Sequence, residues 1–138
     1  MAKKNRKKEF TGQVVIPLGH PSPPEPHEVD AALILARHYK TTVEFIVPVD
    51  DYRRKTADIN MLGVQWEIKS PTGKSRYTIQ EQFKRASHQA KRIIIDSRRT
   101  KLTDESIEKS IRFEQAKRPA IQRVIFINKS EKVIEIQR

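Results

Sequence analysis

Two carboxylates and an amine stand within one short segment whose pattern predicts a β-hairpin. Asp58 lies in the first half of this segment, and Glu67 and Lys69 lie in the second half, after a short turn. Because side chains alternate across a strand, the two later charged residues share one face, and the apolar Trp66 and Ile68 share the other. A two-residue turn places Asp58 directly opposite Glu67, with Cβ atoms about 4.5–5.5 Å apart. A longer turn shifts this register, and the sequence leaves both open.

A divalent cation would remove the conflict between two such close carboxylates, which destabilise a strand pair and raise each other's pKa. Mg²⁺ takes oxygen ligands, typically one or two carboxylates with water and substrate phosphate. We expect Asp58 and Glu67 to bind Mg²⁺ or a similar ion, with the Ile68 carbonyl as a third ligand. Such an ion polarises a phosphoryl group and activates water, while Lys69 positions that water or stabilises charge on the phosphate. The alternative is an ordinary surface salt bridge among the three charged residues.

Hydrophobic periodicity places this hairpin inside one α/β domain, which we expect at residues 13–138. Residues 1–12 begin with a lysine-rich run, and we expect a flexible basic arm there. Strands and helices alternate along the rest of the chain, which favours one central mixed sheet flanked by helices. The predicted elements are a strand at 13–17, a helix at 27–39, a strand at 41–49, the hairpin at 58–69, a helix at 78–91, a strand at 92–96, a helix from 103 or 104 to 117, and a closing hairpin at 122–137.

The charge balance points to a polyanionic partner. Lys and Arg number 28 against 17 Asp and Glu, which gives a formal net charge of +11 and a pI near 10.1. Nucleic acid is the commonest polyanion that such a chain meets. The absence of cysteine excludes disulfides and thiolate metal sites. The apolar runs are far shorter than the roughly 20 residues that span a membrane, and none follows the basic start, so we expect no membrane span, no secretory signal and a cytoplasmic setting.

Cationic side chains cluster in the loop after the hairpin and in the helix that follows it. A field of this kind attracts a phosphate backbone with strong salt dependence, although a solvated helical face explains any one of them. Tyr77, in the same loop, is a candidate for stacking on a nucleobase. The candidate nucleic-acid-binding residues are Lys74, Arg76, Lys84, Arg85, His88 and Lys91.

The acidic pair and the lysine also carry a resemblance to a known family. The run ADIN at residues 57–60, followed by EIK at residues 67–69, resembles the PD-(D/E)xK nuclease motif, with Ala57 in place of the motif's proline. The order αβββαβ matches the restriction-endonuclease-like core of that family. More narrowly, residues 56–96 are similar to the C-terminal tRNase toxin domain of contact-dependent growth-inhibition (CdiA) proteins.

This resemblance implies roles for individual residues and a class of substrate. The acidic pair binds the metal and the lysine assists the water, which assigns these roles to Asp58, Glu67 and Lys69. Glu28 becomes a further acidic residue near the metal, and Gln89 supports the site from the following helix. The resemblance favours tRNA over DNA, implies a cognate immunity protein, and implies delivery into a target cell as part of a larger effector.

Local chemistry keeps other interpretations open beside this one. Glu28 in a first helical turn is favoured by the helix dipole alone, and Glu44 on a neighbouring strand competes for the same role. One rival function is a metal-independent RNase that uses Lys69, Arg76 and His88. Another is a non-catalytic, basic nucleic-acid-binding module. The function that we expect is a toxin-like, metal-dependent endonuclease that cleaves phosphodiester bonds in nucleic acid, with tRNA as the favoured substrate.

Overall fold

The computed structural model describes residues 10–48, 57–86 and 90–137. Within these ranges, seven strands form one mixed sheet and three helices flank it, which confirms the predicted α/β class. The αβββαβ order is present, extended by a strand before it and by a helix and two strands after it. The elements are β1 (Gln13–Val15), α1 (Pro26–Tyr39), β2 (Thr42–Phe45), β3 (Ile59–Met61), β4 (Val64–Lys69), α2 (Thr78–Ala86), β5 (Arg92–Asp96), α3 (Asp104–Lys117), β6 (Arg123–Ile127) and β7 (Val133–Ile136).

The strands lie in the sheet in the order in which they occur in the chain. The β1–β2, β4–β5 and β5–β6 pairs are parallel, and β3 and β7 run against their neighbours. Strands β1, β2, β4, β5 and β6 therefore end at one edge of the sheet, which we call the C-terminal edge. Each helix connects two parallel strands or follows one, so all three helices begin at this edge. Helix N-termini carry partial positive charge, which favours anions there.

The sheet is buried on both faces at β5 and β6, whereas Glu44, Asn60 and Gln65 are exposed on one face of β2, β3 and β4. Helix α1 covers one face, where Trp66, Ile68 and Ile94 join one core cluster. Helices α2 and α3 cover the other face, where Ile93 and Ile95 join a second cluster. This burial explains why β5 is a continuous apolar run rather than an alternating one.

The termini of α1 follow from local sequence. Pro26 occupies the start of the helix, and the preceding Glu25 forms a capping box with Glu28, whose Oε1 accepts the backbone N–H of Glu25 at 2.9 Å. The helix ends at Lys40, which adopts a left-handed conformation with φ of 50°. The fold thus uses Glu28 to start the helix that covers the first core cluster.

Helix α2 is shorter than the sequence predicts. Its described residues end at Ala86, and Lys91, where we expected the helix to finish, is not helical. Strand β5 begins at Arg92, so the chain must leave helical geometry before it. The backbone N–H of Ala90 donates to the carbonyl of Ala86, which is the last helix-like contact of this connection.

Gly12 lies where the chain passes the last turn of α1. Its φ is 102°, and a Cβ at this position would run into the backbone carbonyl of Ala36. Gly19 offers a matched control, because its φ is 78° and a Cβ there would meet open space.

We expect Gly12→Ala to destabilise the fold more than Gly19→Ala. Both changes incur the left-handed backbone penalty of about 1–2 kcal/mol, but only the first adds an overpacking penalty of about 1–3 kcal/mol. Urea unfolding of the two variants and the wild type measures both differences. Equal losses would show that Gly12 is required only for its conformation.

Candidate active site

Strands β3 and β4 separate at the C-terminal edge, and the acidic pair lies where they part. Their register pairs Met61 with Val64 and Ile59 with Trp66. The two turn residues, at 62 and 63, both have positive φ, which is the two-residue turn that sets this register. Continuing the register by one residue brings Asp58 opposite Glu67, as the shorter of the two expected turns requires.

Where β3 and β4 separate, the side chain of Asp58 accepts a backbone N–H of β4. Its Oδ2 accepts the N–H of Ile68 at 2.7 Å, while β4 continues beyond Trp66 by pairing with β5. The carboxylate of Asp58 is thereby held against the middle of β4. This contact leaves its second oxygen for another partner.

Glu67 is a buried carboxyl group with a strongly shifted pKa. Its exposed fraction is 7%, and burial is the main cause that raises its pKa to about 8. A hydrogen bond with Asp58 and the negative charge of Asp58 raise it further. The charge of Lys69, whose Nζ lies 3.9 Å from Glu67 Oε1, opposes this shift, and the charge of Glu28 adds to it. The three residues of the predicted motif therefore interact directly.

The two competing acidic residues lie at different places. Glu28 begins α1 at the C-terminal edge, close enough for its charge to act on Glu67, although one of its oxygens already caps the helix. Glu44 is exposed on β2 and pairs with Asn60, towards the hairpin turn. Of the two, Glu28 lies at the same edge of the sheet as the acidic pair.

The donor set suits a hard divalent cation. Asp58 and Glu67 present carboxylate oxygens side by side, and their mutual repulsion is the kind that Mg²⁺ relieves. In the described ranges, no group of three His, Cys, Asp or Glu side chains is arranged to hold a metal. An ion here would rest on these two carboxylates, with water, substrate oxygen or the Ile68 carbonyl completing its coordination.

A second charged group, which the sequence analysis missed, fixes the start of α1. Asp96 is fully buried at the end of β5 and accepts three hydrogen bonds from Arg98, two from its guanidinium at 2.9 and 2.8 Å and one from its backbone N–H at 3.1 Å. Arg98 also donates to the carbonyl of His27 at 3.0 Å, and the Asp96 contact raises the pKa of its guanidinium. Arg99 Nη1 lies 2.9 Å from the ring of His27. The sequence did contain a signal for this group: an acidic residue ends a buried strand, and an arginine follows two positions later.

The candidate nucleic-acid-binding residues divide between the two edges of the sheet. Lys74 and Arg76 are exposed in the loop between β4 and α2, at the C-terminal edge. Lys84 and Arg85 are exposed in the last turn of α2, and Lys91 precedes β5, which puts these three towards the opposite edge. His88 and Gln89 lie outside the described residues.

Comparison with known proteins assigns the chain to a family. A family model described as the contact-dependent growth inhibition CdiA C-terminal domain matches residues 55–133, more than half of the chain. The chain belongs to this family.

A solved structure shares the fold of this CdiA C-terminal domain. The chain is similar to a CdiA-CT/CdiI toxin and immunity complex from Burkholderia pseudomallei, with a TM-score of 0.58 and 19% identity over 90% of this chain and 99% of that chain. No curated protein matches the chain significantly. Among the described residues, no helix is long and apolar enough to cross a bilayer. The family match contains Asp58, Glu67 and Lys69, whereas Glu28 precedes it.

The shifted pKa of Glu67 predicts how the stability of this CdiA C-terminal domain depends on pH. Unfolded Glu67 loses its proton near its ordinary pKa of 4.5, whereas folded Glu67 keeps the proton to about pH 8. Raising the pH through this window therefore favours unfolding. We expect Glu67→Gln to remove this loss, so the variant gains stability relative to wild type as pH rises from 5 to 8, on the order of a few kcal/mol at most.

Urea unfolding in the presence of a chelator, at several pH values, measures the difference between Glu67→Gln and wild type. Gln65→Glu is the control, because it adds a carboxyl group on an exposed position of the same strand. Parallel stability curves for wild type and Glu67→Gln would contradict the burial of an ionisable proton at Glu67.

Proposed function

We propose that the chain is a metal-dependent endonuclease of the PD-(D/E)xK type that cleaves RNA, with tRNA as the favoured substrate. One observation carries the proposal: a buried carboxyl group with a pKa raised to about 8 lies beside a second carboxylate and a lysine, at an edge where three helices begin. Groups with strongly perturbed pKa values that lie beside a specific charged partner cluster at functional sites. The choice of RNA rests on the resemblance of residues 56–96 to tRNase toxin domains.

Each residue of the pair and its lysine has a distinct role in this proposal. Asp58 and Glu67 hold a divalent cation, and Glu67 gives up its proton to do so. When bound, the ion supplies Lewis acidity toward the phosphoryl group and lowers the pKa of water. Lys69 orients the attacking water and neutralises charge that develops on the phosphate. The clamp from Asp96 through Arg98 to His27 holds the start of α1, and with it Glu28, against the site.

The biological setting follows from the family. A CdiA C-terminal domain of contact-dependent growth inhibition acts in our proposal as a toxin that is delivered into a target cell as part of a larger effector. The similar solved structure is a toxin and immunity complex. We therefore infer that a cognate immunity protein binds this domain and blocks its activity in the producing cell.

Cleavage assays with charge-neutral variants test the proposed chemistry. Asp58→Asn, Glu67→Gln and Lys69→Met are each expected to lower the cleavage rate of total tRNA by about 10²–10³-fold, because the first two remove a ligand of the cation and the third removes the amine that acts on the water and the phosphate. Glu81→Gln, an exposed acidic residue in the first turn of α2, is the control and should cleave like wild type. Single-stranded and duplex DNA serve as competing substrates.

Removal of the metal separates this proposal from its rivals. Wild-type activity should disappear in EDTA and return with Mg²⁺ or Mn²⁺. Cleavage that survives the chelator would support a metal-independent RNase instead. Tight binding of tRNA by wild type with no cleavage under any condition would support a non-catalytic module.

Phosphate binding should depend on the C-terminal edge rather than on the opposite one. In a Glu67→Gln background, we expect Lys74→Ala with Arg99→Ala to reduce the slope of log affinity against log salt by on the order of one to two units. Arg37→Ala with Lys40→Ala removes two charges at the end of α1, at the other edge, and should leave the slope unchanged. Fluorescence anisotropy with labelled tRNA measures both; equal slopes for the two double variants would refute the placement.

A further inference from the structure

A groove between α2 and α3 lies on the face of the molecule away from α1. Its volume is about 450 Å³, and two aromatic rings line it. Tyr77 is 51% exposed and Phe113 is 62% exposed, although large apolar side chains are usually covered. Neither ring belongs to either of the two core clusters.

Each of the two rings carries a cation beside it. The Arg76 guanidinium lies 4.8 Å from the ring centroid of Tyr77, and the Lys117 ammonium lies 5.0 Å from that of Phe113. Lys109 adds a third positive charge to the lining. Both are cation–π contacts at exposed rings, so each ring has a positive charge within reach of a phosphate next to a stacked base.

The charges of the groove favour a polyanion. The acidic side chain in its lining is Glu114, which is 4% exposed and pairs with Arg118 at 3.2 Å. Its charge is therefore compensated within α3 and does not cancel the cations at the surface. Gln80, in the first turn of α2, supplies an amide that can both donate and accept hydrogen bonds.

The groove is connected to the candidate active site by one short loop. Lys69 ends β4, and Tyr77 follows eight positions later, so a fully extended chain would separate them by at most about 28 Å. The loop is also tied to the sheet, because Thr100 Oγ1 donates to the Gly73 carbonyl. A strand of nucleic acid at the acidic pair can therefore reach the aromatic rings.

We propose that this groove binds unpaired nucleobases of the RNA substrate by stacking them on Tyr77 and Phe113 while the adjacent cations contact the flanking phosphates. Exposed rings interleaved with cations are the elements that single-strand-binding surfaces combine. Bases inside a duplex are already stacked and cannot enter such a groove. The groove thus selects single-stranded or looped regions, a specificity that rests on the proposed nuclease function.

Binding measurements on the full chain test this proposal apart from cleavage. In a Glu67→Gln background, anisotropy is measured with a short fluorescein-labelled single-stranded RNA and with the same RNA annealed to its complement. We expect Tyr77→Ala and Phe113→Ala each to weaken single-strand binding about tenfold, with little change for the duplex. Phe113→Trp should restore the affinity, since it keeps an aromatic face.

Phe10→Ala is the matched control, because Phe10 is 52% exposed and does not line the groove. Unchanged single-strand affinity in the double alanine variant would overturn the proposal, as would equal losses for single strand and duplex. Loss of binding to an immunity protein with RNA binding intact would assign the groove to a protein partner and overturn it too.

The two proposals fail in distinguishable ways. If wild type cleaves tRNA but the alanine variants bind single-stranded RNA as tightly as wild type, the proposed nuclease function stands and the proposed role of the groove is wrong. If wild type cleaves no substrate but its binding of single-stranded RNA depends on the two rings, the proposed role of the groove stands and the proposed nuclease function is wrong.

Discussion

The contact between Asp58 and Glu67 is the constraint on which the rest of the site depends. A two-residue turn with positive φ at both positions sets the hairpin register and brings the two carboxyl groups together. The Ile68 N–H then fixes Asp58 in place. Burial prevents Glu67 from turning away into water, so the pair keeps a proton that an exposed glutamate would lose. The local chain geometry thus holds two carboxyl groups together without enough positive charge to balance both of them when they are ionised.

The sheet topology determines what surrounds that pair. Five strands end, and three helices begin, at the same edge, so the acidic pair lies among helix N-termini and cationic loops. Such an edge attracts phosphate at long range, while the pair itself repels it at close range. In the proposed nuclease, a divalent cation between the carboxylates and the phosphate would reconcile the two effects, because Mg²⁺ binds both kinds of oxygen. Long-range attraction and local repulsion are therefore complementary parts of one site.

The sequence was sufficient for features that depend on neighbouring residues. The hairpin, the face shared by Glu67 and Lys69, and the order of helices and strands all follow from alternation and periodicity over short windows. The predicted end of α2 at residue 91 was wrong, because Ala90 and Lys91 already form the non-helical connection to β5. The contact from Arg98 to His27 could not be foreseen, since the two residues are 71 positions apart and meet only through the crossover of α1. The large shift at Glu67 likewise needs the burial of its carboxyl group by the folded chain, which no window of sequence reveals.

The acidic pair also weighs against a site that only binds nucleic acid. A module that used this edge solely for phosphate contacts would bind more tightly with a neutral residue in place of Glu67. A buried carboxyl group lowers the stability of the fold as it ionises, and the ionised group repels phosphate. A metal-independent RNase gains equally little, since Lys69 lies 3.9 Å from Glu67 and compensates its charge. In the proposed nuclease, exchange of the Glu67 proton for a cation would use each of the charges at this edge.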